Sequence, residues 1–434
     1  MRAWRGCTTL FLVAAALLAV GCGTASGTGP ATTKASAPTS ASAWNGPRPP
    51  AATRSPARPA VRPLWAQTVQ MSTRSAGWAL YLAGNPATAP LGTPTLLVRT
   101  TDSARTWTDV TPAAARPMLS TANANQVLDA AGADRAYLAV TVSPRAYGPA
   151  TTRVFATDDG GRTWTESAPV KGVGYVSALS FTDPGHGWLL WNEGAAMGRN
   201  PVRVYRTTDG GAHWSLAAQS PTFNSTSTST AGIPLACDKT AIAFPSASAG
   251  WLTSVCAVGL ADELLVSRDG GDTWSQQSLP LAAGSCDQTA CELTGPEFTG
   301  GTEFLTLGRN PGAPALLVSR DLGQTWQSVP LPAGSGVYPQ IRFFDTRRGV
   351  LVAGGSQASL GDVFYTTSDG GQTWTAVPQG VHFTQNGAAI DFVSPDTGFA
   401  WILGGDAPGS SAPAMYETTD AGRTWTSFSP RVAG

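Results

Sequence analysis

The sequence predicts an all-β protein: a seven-bladed β-propeller of four-stranded antiparallel blades, preceded by a signal peptide and a disordered tether. Three observations predict this fold. A short string centred on aspartate recurs seven times, an apolar landmark precedes each copy, and helical periodicity is nearly absent after the amino-terminal segment. Units of this kind cannot bury an apolar face alone, so they are typical of blades that close into a ring.

The amino-terminal segment, residues 1–21, is expected to be a lipoprotein signal peptide. Arg2 and Arg5 precede an apolar run from Thr8 to Val20, which is shorter than the ~20 residues that span a bilayer as a helix. The run ends in Leu-Ala-Val-Gly-Cys at 18–22, a string that resembles a lipobox. The resemblance implies a lipid on Cys22, and hence an exported protein anchored to the extracytoplasmic face of the cell membrane. The alternative is an ordinary secretory signal that contains a cysteine.

Residues 22–62 consist mostly of Ala, Ser, Thr, Pro, Gly and Arg, and they predict a disordered tether. The remainder, residues 63–434, is expected to form one propeller domain. The formal net charge of the chain is zero and only 13% of its residues are charged, so nothing predicts a nucleic-acid partner.

The recurring string has its clearest copy at Thr157–Trp164, with the sequence Thr-Asp-Asp-Gly-Gly-Arg-Thr-Trp. The hydroxyl and the carboxylate can accept N–H groups of a tight turn, the glycine two residues after the aspartate takes a positive φ cheaply, and the tryptophan returns to the sheet. The seven copies place their aspartates at Asp102, Asp159, Asp209, Asp269, Asp321, Asp369 and Asp420, and their tryptophans at Trp107, Trp164, Trp214, Trp274, Trp326, Trp374 and Trp425. Ala104 replaces the glycine in the first copy, so we expect that turn to be the most altered or strained.

A second landmark lies 18 to 25 residues before each aspartate: a small residue and usually an aromatic one, as in Gly187-Trp188. Two landmarks per repeat predict four strands, which in the third repeat are expected at about 176–181, 187–191, 202–207 and 214–217. Six blades with an irregular segment, or a wider ring, are the alternatives.

The strings resemble the Asp-box, or BNR, repeats of sialidases, sortilin-type receptors and photosystem II stability/assembly-factor-like propellers. The resemblance covers about residues 70–425. It implies that the boxes lie at the outer edge of the blades, away from the face that binds ligands, and it says almost nothing about activity.

Four cysteines remain after Cys7 and Cys22, and in an exported chain an even number indicates disulfides. Of the three possible connectivities we expect Cys237 with Cys256, which should face each other across a hairpin, and therefore Cys286 with Cys291. The alternative is a zinc site, although the spacing fits one poorly.

The loops at the end opposite the boxes supply a candidate ligand face, in which three arginines, a tyrosine and two acids could form an anion site. These residues are Arg145, Tyr147, Glu193, Arg199, Arg309 and Asp406, with Asn192 and Asn310 nearby in sequence. A sialidase would also need a tyrosine–glutamate pair beside an arginine triad, and that set is not evident.

No catalytic, cofactor-binding or metal-binding residue is predicted, because familiar hydrolase and nucleotide motifs do not occur. We therefore expect a monomeric, non-catalytic binding or scaffold propeller of the cell envelope that presents loops to a protein or glycan. The alternative is an exo-glycosidase of sialidase type.

Overall fold

A computed structural model describes residues 62–63, 65–84, 93–144, 148–196, 198–256, 263–280, 290–310, 314–332, 335, 339–353, 363–378, 388–402 and 415–433. The predicted signal peptide, Cys22 and nearly all of the predicted tether lie outside these residues. The regular secondary structure of the described chain is β-strand, apart from one short α-helix at Arg116–Leu119. None of its helices is long and apolar enough to cross a membrane.

The prediction of seven four-stranded antiparallel blades is confirmed. We number the strands of each blade one to four in chain order. Their bounds are Trp65–Met71, Gly77–Leu82, Thr95–Thr100 and Thr106–Asp109 in blade 1; Ala124–Asp129, Ala136–Val142, Pro149–Thr157 and Thr165–Glu166 with Val170–Val173 in blade 2; Tyr175–Phe181, Gly187–Asn192, Val202–Thr207 and Ser215–Gln219 in blade 3; Asp238–Ala243, Gly250–Val255, Glu263–Ser267 and Ser275–Gln277 in blade 4; Ala290–Thr299, Thr302–Asn310, Ala315–Ser319 and Gln327–Pro330 in blade 5; Gln340–Phe343, Gly349–Ala353, Val363–Thr367 and Thr375–Val377 in blade 6; and Ala388–Phe392, Gly398–Ile402, Met415–Thr418 and Thr426–Phe428 in blade 7. In blade 2 the fourth strand is interrupted, and both of its parts pair with the third.

First strands of neighbouring blades contact one another between blades 2 and 3, 3 and 4, 5 and 6, and 7 and 1. The ring closes on blade 1, where Arg431–Ala433 pairs in parallel with the fourth strand and Arg62–Pro63 pairs with Arg431–Ala433 on the outside. Val432 is buried there in the same apolar cluster as Trp107 and Met415, which joins blade 1 to blade 7. Residues 65–71 therefore form the innermost strand of blade 1 and add no strand to blade 7.

The glycine of the second landmark lets an aromatic side chain lie across the hairpin. A Cβ on Gly187 would be 2.4 Å from Cε1 of Phe181, the last residue of the paired first strand. Phe181 in turn stacks on Tyr137 of the preceding blade, with ring centroids 3.4 Å apart, and meets Trp214 of its own Asp box edge-on at 5.8 Å. The landmark aromatic Tyr137 thus contributes one ring to an aromatic stack between blades 2 and 3, which is a favourable arrangement for burying large rings.

The same stack recurs at two other junctions. Phe244 stacks on Trp188 at 3.7 Å, and Phe343 stacks on Phe304 at 3.7 Å. The box tryptophans Trp274 and Trp374 contact these phenylalanines edge-on. The boxes and landmarks found in the sequence are therefore the parts that join one blade to the next.

In all seven boxes the two residues after the aspartate adopt positive φ. Six boxes have glycine at the second of these positions, whereas the first box has Ser103 and Ala104, with φ of 60° and 63°. In the other six boxes the N–H of the second residue donates to the Ser or Thr hydroxyl two residues before the aspartate, at 2.8 to 3.0 Å. The described contacts of the first box do not include this bond, so its turn is the altered one.

Box 5 offers a test of the cost of this backbone conformation. Leu322 has a φ of 58° and is 46% exposed, so its side chain gains little from packing. We expect Leu322→Gly to stabilise the protein by about 1 kcal/mol, because glycine adopts the left-handed region without a steric cost. Leu216, which is 49% exposed in a strand, is the matched control, and Leu216→Gly should destabilise. Thermal unfolding that shifts in the same direction for both variants would contradict this expectation.

Candidate functional site

The Asp-box carboxylates are occupied by their own turns. In box 2, Asp159 Oδ1 accepts the Thr157 hydroxyl at 2.9 Å and the Thr163 N–H at 2.9 Å, and Oδ2 accepts the Thr163 hydroxyl at 2.6 Å. Box 3 has the same pattern with His213 Nδ1 beside Asp209 Oδ2 at 2.7 Å. Hydrogen bonds from Thr163 hold the pKa of Asp159 at about 2, so this group stays ionised as an acceptor. These contacts show that the box aspartates cap their own turns.

The boxes lie at the same end of the blades as the turns between strands one and two. The N–H of Gly160 donates to Asp134 O at 2.8 Å, and the N–H of Gly210 donates to Gly185 O at 2.9 Å. Equivalent bonds in blades 1, 4, 6 and 7 join Ser103 to Ser75, Gly270 to Ser248, Gly370 to Arg347 and Ala421 to Asp396. We call this the box end of the ring.

A belt of seven positions, six of them polar, surrounds the centre near the box end. Each member is the residue paired with the landmark aromatic or its equivalent: Gln70, Asp129, Ser180, Ala243, Glu297, Arg342 and Asp391. Five members accept a backbone N–H of the next blade: Gln70 from Ala130, Asp129 from Phe181, Ser180 from Phe244, Glu297 from Phe343, and Asp391 from Met71, at 2.8 to 3.2 Å. Ala243 and Arg342 have no acceptor in their side chains and interrupt the pattern. The belt therefore joins five of the seven junctions through one hydrogen bond each.

A cavity of about 780 Å³ opens at the centre of the box end, and we call it the channel mouth. Turns of blades 1, 2, 3, 6 and 7 contribute its lining, at residues 72–73, 129–135, 158, 181–183, 342, 344 and 393–395. Phe181, Phe344 and Val393 give it apolar walls, beside hydroxyl and carboxyl groups. Ten of the eighteen lining residues are polar or charged, so the apolar wall is one part of a mainly polar cavity.

The floor of the channel mouth holds buried charges. Burial raises the pKa of Asp129 to about 7, and the N–H of Phe181 acts in the opposite direction. Arg342 Nη1 lies 3.2 Å from Glu297 Oε1. Burial lowers the pKa of Arg342, but Glu297 and Asp391 outweigh that effect and the net pKa is raised. The guanidinium is therefore held as a cation between two carboxylates, and Asp129 is a carboxyl group poised to titrate near neutral pH.

The rim carries further acids. Asp134 pairs with Arg99 at 2.6 Å, and Asp183 lies 2.9 Å from His186 Nδ1. Asp158 lines the cavity and makes no ion pair with any described residue. Four carboxyl groups and two guanidinium groups line the mouth. Arg342 is paired with Glu297 and Asp134 with Arg99, which leaves three carboxyl groups against Arg135. The mouth is therefore electronegative overall.

No protein-family model matches the chain, and no curated protein matches it. Several solved structures do match the chain. A structure of YCF48 bound to D1 peptide is 18% identical over 79% of this chain and 92% of that chain, with a TM-score of 0.47. A GH74 enzyme of Niastella koreensis is 14% identical over 84% of this chain and 66% of that chain, with a TM-score of 0.49. A prolyl endopeptidase is 8% identical over 85% of this chain, and this chain spans 50% of its length, with a TM-score of 0.53.

The likeness is one of fold. The proteins that resemble this propeller include one bound to a peptide and others that are enzymes, so the comparisons do not choose between binding and catalysis.

The candidate ligand face of the propeller, at the end opposite the boxes, is described only in part. Arg145, Tyr147, Asp406 and the side chain of Arg309 lie outside the described residues. Glu193 Oε1 pairs with Arg203 at 2.5 Å, whereas the backbone of Arg199 bonds with that of Ala196. The structure thus places Glu193 in an ion pair with an arginine that the sequence did not single out.

The predicted disulfide between Cys237 and Cys256 is present, with a Cα–Cα distance of 4.4 Å. Cys286 lies outside the described residues, as does the side chain of Cys291. The two bonded sulfurs and the Glu263 carboxylate lie within 4.8 Å of one another, but sulfurs joined in a disulfide are not available as thiolate ligands.

Sequence reasoning missed the belt and the channel mouth. A signal for the belt exists, because Gln70, Asp129, Ser180, Arg342 and Asp391 each stand eight residues before the landmark aromatic or its equivalent. Aligning the repeats on that landmark would have found the column. The mouth itself has no such signal, since five separate blades contribute to it.

Proposed function

We propose that the chain is a non-catalytic binding propeller of the cell envelope, and that its channel mouth takes a polypeptide segment of a partner protein bearing a basic side chain. The proposal rests on the hydrogen bonds that the acidic side chains inside the ring already make. Asp129, Glu297 and Asp391 each accept a backbone N–H of the next blade, so the carboxylates inside the ring serve its assembly. A sialidase site at the mouth would need three arginines beside a tyrosine, whereas the described lining of the mouth has Arg135 and Arg342 and no tyrosine.

The chemistry of the mouth favours an extended cationic segment. The apolar walls formed by Phe181, Phe344 and Val393 suit the aliphatic stem of a lysine or arginine, and the rim acids Asp158 and Asp183 suit its charged end. Extended segments expose backbone groups that hydroxyls such as Ser394 and Thr73 can bind. A lipid on Cys22 would keep such a site at the membrane surface.

Equivalent positions in the other repeats show which uncharged residues these turns accept, and they define a variant that removes two charges and keeps the turns. At the position of Asp158 three other boxes have threonine, at Thr101, Thr208 and Thr419, and at the position of Asp183 the turn of blade 4 has Ser246. The double variant Asp158→Thr, Asp183→Ser is therefore expected to fold normally. Asp272→Asn is the control, because Asp272 is an exposed acid outside the mouth that pairs with Arg206.

Binding is measured by fluorescence anisotropy with labelled oligolysine, oligoglutamate and oligoserine peptides. We expect the protein to bind oligolysine, and the double variant to lose about tenfold in affinity, since two partly exposed charges together contribute about 1.4 kcal/mol. The Asp272→Asn control should bind like the wild type. Equal affinity of the wild type and the double variant would overturn the site, and hydrolysis of a fluorogenic sialoside would overturn the non-catalytic function.

A further inference from the structure

The Cys237–Cys256 disulfide lies at the end of blade 4 remote from its Asp box. It joins the residue before the first strand to the residue after the second, next to the backbone pair of Asp238 and Val255. Cys237 is buried, whereas Cys256 is partly exposed. Cys256 is therefore the more accessible residue of the pair. A crosslink of this loop length stabilises by about 3 kcal/mol in the chain-entropy account, and nothing further is needed for that role.

Glu263 is the feature that a purely stabilising crosslink does not explain. A carboxylate oxygen of Glu263 lies within 4.8 Å of both sulfurs, and Oε2 is buried with no hydrogen-bond partner among the described residues. Leaving such an atom unpaired costs about 1–3 kcal/mol. The corresponding strand positions in blades 1, 2, 3, 5 and 6 hold Leu96, Arg153, Arg203, Ala315 and Val363. The glutamate thus occurs in the one blade, among these six, whose hairpin carries this disulfide.

A buried cation accompanies the carboxyl group. Lys239 Nζ donates to the carbonyl oxygens of Pro234 at 2.5 Å and Cys237 at 3.0 Å, and also to that of Ala236. Burial raises the pKa of Glu263 and lowers that of Lys239 to about 8, while each group partly offsets the shift of the other. Asp238 is the other charged group that acts on Lys239. The result is a carboxyl group that can exchange a proton beside the sulfurs, with positive charge at the Cys237 backbone.

We propose that Cys237–Cys256 is a redox-active disulfide that exchanges with an external dithiol, and that Glu263 transfers the proton of the Cys237 sulfur. A thiolate of the dithiol attacks Cys256 Sγ, the S–S bond breaks, and its electron pair passes to Cys237 Sγ, which takes the proton of Glu263. The second thiolate of the dithiol then attacks the sulfur that the dithiol contributed to the mixed disulfide, and Cys256 is released as a thiolate. The protein disulfide gains two electrons and the dithiol is oxidised to a disulfide; the reverse direction oxidises a partner.

Proton delivery to the leaving sulfur should accelerate the first step, because a thiol of lower effective basicity leaves faster. The test is the rate at which dithiothreitol reduces the folded protein, followed between pH 6 and 9 by alkylation and mass spectrometry. Glu263→Gln keeps the shape of the side chain and removes the proton. We expect it to be reduced at least about tenfold more slowly near neutral pH, which is a modest value for general acid–base catalysis.

Glu303→Gln is the matched control. Glu303 is also a buried glutamate with a raised pKa and an unpaired Oε2, but it lies in blade 5 beside Ser319 of the Asp box. Its variant should be reduced at the wild-type rate. Equal rates for the wild type and Glu263→Gln, or reduction of the wild type no faster than its global unfolding, would overturn the proposal.

Single-cysteine variants test the order of attack without relying on Glu263. We expect Cys237→Ser, which leaves Cys256, to form a mixed disulfide with oxidised glutathione in the folded state. Cys256→Ser, which leaves the shielded Cys237, should not. Equal reactivity of the two remaining thiols would contradict the assignment of Cys256 as the attacked sulfur.

Discussion

Replacing Asp129 with asparagine is expected to stabilise the protein increasingly as the pH rises from 5 to 8. Burial raises the pKa of Asp129 from 3.8 to about 7, so the folded state binds a proton that the unfolded state releases. The stability that this proton contributes is complete below pH 3.8 and is lost as the pH rises through about 7. Relative to Asp129→Asn, the wild type should therefore lose about 3 kcal/mol between pH 5 and 8, at 1.36 kcal/mol for each pH unit up to 7.

Asparagine retains an oxygen that can accept the N–H of Phe181, so the belt hydrogen bond survives this change. Asp129→Ala also lacks the titrating group but removes the acceptor, so it should be about 1–3 kcal/mol less stable than Asp129→Asn at every pH. Denaturant midpoints across the pH range distinguish the two effects. Parallel stability curves for the wild type and Asp129→Asn would show that the carboxyl group titrates normally, and would contradict the expectation.

Val432→Asp is expected to cost more than about 3 kcal/mol, because it removes a buried valine, worth about 1.5–3 kcal/mol, and places a charge in an apolar cluster. Val432 pairs with Trp107 in the strand that closes the ring, and it is only 5% exposed. Loss of this contact should open the edge of blade 1. A large fall in the thermal midpoint and rapid proteolysis near the closing strand are the measurements.

Ala433→Asp provides the control, since the neighbouring side chain is exposed on the same strand and receives the same new charge. We expect it to change the stability by less than about 0.5 kcal/mol. Equal losses for the two variants would mean that the strand contributes through its backbone alone, and the buried contact of Val432 would lose its assigned role.

The sequence predicts most of the fold because each blade contains its own turn residues, which mark the ends of its strands. In the third repeat the observed strands begin and end within two residues of the expected positions, since glycine and aspartate turns fix their ends. The closing strand Arg431–Ala433 could not be predicted. It contains three residues, follows the last box, and pairs with a blade that lies more than 300 residues earlier.

The candidate site was harder to predict than the fold for a different reason. Asp129 and Arg342 stand more than 200 residues apart and meet only because the ring brings blades 2 and 6 to one cavity. Each repeat of about 50 residues contributes one belt position. Without the register of the sheets, that position cannot be distinguished from any other polar position in a strand. The pairing of Glu263 with the disulfide depends in the same way on which strands lie side by side.

The closure on blade 1 also determines how the ring responds to mechanical load. Arg62–Pro63 is the outermost strand and pairs only with Arg431–Ala433, which itself pairs with the blade. A force that pulls on the chain before residue 62 would strip that outermost pair first and leave the closing strand in place. A force on the carboxyl end would act on the closing strand itself. An attachment at the amino end therefore loads the Arg62–Pro63 pair before it loads the innermost strand of blade 1, whereas a fusion or pulling handle at the carboxyl end acts directly on the strand that closes the ring.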